Sequence, residues 1–156
     1  MSDWIKDAVN KARQEKQRRM ANEEQNKAHR NNLSVSTNNA FAFLIGAVSK
    51  DIESFNEQFP KYPLKSAETK GTVGFQVERQ RDPFFHLLVM LNRNEITWAI
   101  TRESDHRGFQ PSGIFQIELP SNGDHYLLDS GKRIRYEEAS EKMLLPAVTD
   151  TVEISD

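Results

Sequence analysis

Two periods of apolar residues run along this chain, and the switch between them divides it. In the N-terminal part, Trp4, Ile5, Ala8, Val9 and Ala12 recur at helical spacing and share one face. Residues 3–31 hold no Gly or Pro and are rich in Ala, Glu, Lys, Gln and Arg, the strong helix formers. Ser2 or Asp3 can cap the start by accepting a backbone N–H bond. Beyond Ala12 the apolar row fades: Arg19, Glu23 and Lys27 are polar, and Met20 alone continues it. Asn31-Asn32 reads as a stop.

A second helix is expected after Ser34-Val35-Ser36-Thr37-Asn38. Phe41, Ile45, Val48, Ile52, Phe55 and Phe59 alternate four- and three-residue steps, with Leu44 beside them. Pro60 and Pro63 end it, since proline cannot donate the next backbone bond. Residues 60–71 read as a linker.

From Gly71 the period becomes two. Val73, Phe75 and Val77 alternate with polar or small residues, Phe84–Leu91 is almost wholly apolar, and Ile96, Trp98 and Ile100 alternate again. Phe115, Ile117 and Leu119 follow a polar loop. Asn122-Gly123 is a hairpin signal, and Asp129-Ser130-Gly131 separates two further short strands. Glu137–Leu145 reads as a short helix ended by Pro146, and Val148–Asp156 as a loose acidic tail in which Val152 and Ile154 could add an edge strand.

The expected fold is therefore α+β: two N-terminal helices, a five- or six-stranded antiparallel meander with the second helix on one face, and a short C-terminal helix. The divisions are a partly basic amphipathic helix (1–32), one α+β domain (33–147) and the tail (148–156).

The Phe84–Leu91 strand carries the functional expectation. Phe85, Leu87, Val89 and Leu91 form one face; Phe84, His86, Leu88 and Met90 form the other. An antiparallel strand usually has one wet face. The neighbouring strands put Gly74, Gln76, Thr97, Ala99, Thr101, Gln116 and Glu118 around the second face, which becomes an apolar stripe bordered by amides and hydroxyls. Three things could cover it: the first helix through Trp4, Ile5, Ala8 and Val9, the same face of a second copy, or a ligand or other partner.

Composition narrows the chemistry. The chain has 156 residues and no cysteine, so it is sized as one domain and holds no thiol for a disulfide, a zinc-thiolate site or nucleophilic catalysis. It shows no membrane-length apolar run and no signal-peptide pattern, and the expected location is cytoplasmic. Net charge is −2, but residues 1–32 carry eight Lys/Arg against five Asp/Glu, leaving the remainder acidic. The basic excess lies in Lys11, Arg13, Lys16, Arg18 and Arg19, which reads as a solvated helix face or an electrostatic arm.

His29, His86, His106 and His125 form no metal-ligand spacing, and no phosphate loop is present, so neither a metal nor a cofactor is expected. The Arg102–Arg107 loop, with Asp105 beside His106, is the best local polar cluster, yet adjacency in sequence does not orient one group toward the other. The leading expectation is a non-enzymatic, self-associating or partner-bound interaction domain using Phe84, His86, Leu88 and Met90 with Trp4, Ile5 and Val9. The alternative is a small-ligand or enzymatic pocket between the second helix and a curled sheet, lined by His86, Trp98, Arg102 and His106. The second alternative is nucleic-acid contact through the basic helix.

Overall fold

The computed structural model describes residues 3–103, 110–118 and 125–155, and the side chains of these except at 3 and 28–34. The element order is α1 (Asp3–Gln58), β1 (Lys65–Glu68), β2 (Gly74–Arg79), β3 (Phe85–Asn92), β4 (Glu95–Arg102), β5 (Ser112–Glu118), β6 (Tyr126–Asp129), β7 (Lys132–Ile134) and α2 (Tyr136–Ile154). The chain divides into two compact units, residues 1–35 and 36–156.

In the first unit the backbone is helical from Asp3 onward, and every described side chain is exposed, Trp4 at 68% among them. Both expected N-terminal helical segments are helical, and they belong to one element. Asn31-Asn32 does not stop it: each Asn is only about 0.7 kcal/mol worse than Ala in a helix, and no Gly or Pro stands between Asp3 and Ala40 to break the ladder.

The second unit is built on a seven-stranded antiparallel sheet whose strands lie in chain order, β1 to β7. Short turns make that order the natural one. Ser130 (φ 52°) and Gly131 (φ 83°) close the β6–β7 hairpin with both central residues in the left-handed region. Arg93 (φ 58°) does similar work between β3 and β4.

One sheet face carries the core. Val77, Phe85, Leu87, Val89, Ile96, Ile100, Phe115 and Leu127 are almost entirely buried there. The α1 row Ala40, Phe41, Leu44, Val48, Ile52 and Phe55 packs into the same cluster, as do Ala139, Met143, Leu144 and Ala147 of α2. The helical spacing of the first set and the strand alternation of the second thus meet as anticipated, with Val73 as the departure: it precedes β2 and is exposed.

Two boundaries differ from expectation. β1 lies within the expected 60–71 linker; Lys65-Ser66-Ala67-Glu68 is wholly exposed and has no apolar alternation to mark it. α2 runs to Ile154, through Pro146, so residues 148–154 continue a helix instead of forming a loose tail or an edge strand. A proline inside a helix costs about 3 kcal/mol and one backbone bond, but stopping there would expose Ala147 and Thr151, both 0% exposed in the longer helix. The Asn122-Gly123 turn and Leu119 lie outside the described residues.

Candidate functional site

Both helical elements of the second unit pack on one face of the sheet, so among the described residues no helix or strand of the unit lies on the other face. Its composition follows from register. On β3, alternation turns His86, Leu88 and Met90 away from the buried Phe85, Leu87 and Val89. Pairing sets Leu88 between Gln76 and Ala99, Met90 between Gly74 and Thr97, and His86 between Glu78 and Thr101. Thr97 in turn pairs with Ile114, which is 51% exposed.

The centre of this face is apolar, with Leu88 and Met90 half-buried and Ala99 and Ile114 beside them. Small neighbours leave the two long side chains uncovered on their flanks. Gly74 cannot carry more than hydrogen, because a Cβ there would stand 2.6 Å from the Val89 carbonyl oxygen. The border is polar and internally bonded: His86 Nε2 lies 3.0 Å from Gln76 Oε1, and Gln110 Nε2 donates to Thr101 Oγ1 at 3.1 Å. An apolar centre inside a hydrogen-bonding rim is the anatomy of a protein contact surface.

Phe84 precedes β3 and is half-buried. Trp4, Ile5 and Val9 are exposed in the first unit, as are Lys11, Arg13, Lys16, Arg18 and Arg19. Of the four residues expected to line a pocket, the three that are described do not share one face. Trp98 pairs with Val89 and Arg102 with Phe85, on the core face, whereas His86 belongs to the opposite face and His106 lies outside the described residues. The space between helix and sheet at Trp98 holds packed side chains; its indole stacks on Phe115 at 6.1 Å between ring centroids. Among the described residues, no three His, Asp or Glu side chains come together as metal ligands.

A buried polar cluster not expected from the sequence closes one end of the core. Arg79 is 3% exposed. Its Nε donates to the Pro83 carbonyl at 2.8 Å, and one terminal nitrogen donates to the Tyr62 carbonyl at 3.1 Å and to Thr151 Oγ1 at 2.9 Å. The guanidinium also lies 5.9 Å from the centroid of the Phe55 ring. Beside it, Arg102 meets Asp150 at 3.3 Å. Burial pushes the Arg79 pKa down, while the nearby Asp150 and Tyr62 oppose that push. The arrangement ties the end of α2 to the ends of β2 and β4. Its only sequence signal is a charged residue at a core-facing position of β2, one step beyond Phe75 and Val77.

A groove between α1 and α2 is not legible in the sequence either: its α2 side, Glu137, Glu141, Leu144, Leu145 and Val148, comes almost wholly from the expected short helix, but the chain's local pattern does not set that helix against α1. No helix among the described residues is long and apolar enough to cross a membrane. Comparison with family models, curated proteins and solved structures finds no match to this chain.

Proposed function

We propose that this protein is a non-enzymatic interaction domain that self-associates through the open face of its sheet. The observation that carries the reading is the apolar centre formed by Leu88, Met90, Ala99 and Ile114 on a face that neither helix of the unit covers. A face that meets its own copy about a two-fold axis is complementary to itself by symmetry, and sheets pack face to face about 10 Å apart.

The size is adequate. Four strands about 4.8 Å apart and eight residues at about 3.4 Å each give roughly 500 Å² of projected face per copy. Two such faces reach the roughly 1,000 Å² at which specific contacts begin, which suits association at micromolar concentration rather than an obligate dimer. The sheet edges are poorer candidates. β1 and β7 are short, and Lys65, Lys132 and Arg133 stand on them, the usual protection against strand addition.

Light scattering coupled to size exclusion, run over a concentration series, tests the reading. The wild-type chain should dimerise as concentration rises. Leu88→Asp with Met90→Lys should remain monomeric with an unchanged far-UV circular dichroism spectrum, because a charge at a desolvated contact costs several kcal/mol. A wild-type chain that is monomeric throughout, or a charged variant that still dimerises, rejects it.

A further inference from the structure

The α1–α2 groove lies on the far side of the core from the open sheet face and is independent of the self-association reading. It is a cavity of about 520 Å³ between Asp51–Gln58 of α1, with Phe59 just past the helix end, and Glu137–Val148 of α2. Its floor is apolar: Phe55, Phe59, Leu144 and Val148, with Leu145 at the lip and 54% exposed. Every charged residue lining it is acidic, namely Asp51, Glu137 and Glu141. Asp51 is held in place, since its Oδ2 accepts a bond from Ser140 Oγ at 2.7 Å. The nearby Lys142 is engaged elsewhere, its Nζ 2.6 Å from Asp129 Oδ2.

We infer that this groove docks a basic amphipathic helix of a protein partner, laid beside α1 and α2 with its apolar face down and its Lys or Arg residues toward the acidic rim. Charge complementarity selects a cationic occupant. The walls select a helix. Both are helices whose backbone groups are bonded within themselves, so they offer an extended segment no ladder, and its N–H and C=O groups would be buried without partners. A helix brings its backbone already satisfied. From Asp51 to Gln58 the helical wall is about 10 Å long, room for about two turns of a third helix at ordinary packing distance.

The test titrates the full chain, by fluorescence anisotropy, against a capped, labelled peptide of about fourteen residues, with leucines at helical spacing and lysines elsewhere. Two controls are a peptide with glutamates replacing the lysines and one of the same composition with the leucine stripe scrambled. The lysine peptide should bind at micromolar concentration, and both controls should bind about tenfold more weakly or not at all. Leu145→Ala and Glu141→Gln alter exposed side chains, keep the fold by circular dichroism, and should each weaken the lysine peptide by about fivefold or more. Leu88→Asp, on the sheet face, should leave it unchanged. Equal binding of the glutamate or scrambled peptide, no binding of the lysine peptide, indifference to both groove variants, or loss of binding in Leu88→Asp would each overturn the inference.

Discussion

Trp98 lies across Gly113: the two residues face each other in the β4–β5 register, and a Cβ on the glycine would stand 2.7 Å from the indole ring. The glycine is therefore the space into which the largest core side chain leans, and the ring covers backbone that a side chain would otherwise shield.

Gly113→Ala forces that ring to move within a packed core, and overpacking of this kind costs about 1–3 kcal/mol. A urea titration should show a lower midpoint at unchanged slope. Trp98→Phe removes the atoms nearest the new methyl group, so the double variant should be less destabilised than the sum of the two singles by about 1 kcal/mol. Additive losses would mean that the ring and the glycine are not coupled.

The end of the core should depend on its buried charges. Asp150 is 8% exposed and holds Arg102 at 3.3 Å beside the buried Arg79. Asp150→Asn removes the carboxylate that pairs with Arg102 and offsets the charge of nearby Arg79, and should cost about 3 kcal/mol. Thr151→Val removes one acceptor from Arg79 and should cost about 1–2 kcal/mol. Calorimetric melting of both variants, with Thr149→Val on the exposed side of α2 as the near-neutral reference, checks the order.

These two sites differ in how far they could be read from the chain. The spacing from Phe41 to Phe55 marks the buried row of α1, and parity within each strand marks the core face. Parity also separates His86 from Trp98: the β3–β4 hairpin pairs His86 with Thr101 and Trp98 with Val89, so a pocket containing both was excluded by the same alternation that identified the open face. What parity cannot supply is contact across the fold. Arg79 meets Thr151, in a helix that passes Pro146, at a separation of 72 residues, and the α1–α2 groove sets residues 51–59 against residues 137–148. Local propensity argues against that helix, and burial of Ala147 and Thr151 overrides it.

Alkaline pH should expose a liability at Tyr136. Its hydroxyl is buried without a hydrogen-bond partner among the described residues, and burial raises its pKa above 10.0. The native state thus keeps its proton after the unfolded chain has begun to lose it. This contribution to stability is full below the unfolded pKa and is lost as pH rises through the folded one. Tyr136→Phe should be within about 0.5 kcal/mol of wild type at pH 7, since no bond is lost. Above about pH 10 it should melt higher than wild type. Parallel melting curves at both pH values would contradict the assignment.

All of the clustered core residues, from Ala40 to Ala147, belong to the second unit. A chain beginning at Ser36 should therefore melt cooperatively within a few degrees of the full chain. The same deletion removes Lys11, Arg13, Lys16, Arg18 and Arg19, so any salt-sensitive retention on heparin or single-stranded DNA should vanish with it. Retention that survives the deletion would place the polyanion contact on the sheet unit.

Ile114 offers the mildest probe of the open face. It is 51% exposed, and its strand partner Thr97 lies beside Met90. Ile114→Lys keeps β5 in register and leaves the opposite, buried face untouched, so monomer stability should change by no more than about 0.5 kcal/mol. At a two-fold contact each lysine would be brought against an apolar surface or toward its symmetry mate. The dimerisation constant from sedimentation equilibrium should then weaken by at least about tenfold, or 1.4 kcal/mol. High salt should restore part of the loss if the symmetry mates repel, because screening acts on like charges and not on a missing apolar contact. An unchanged constant would show that the face centred on Leu88 is not where two copies meet.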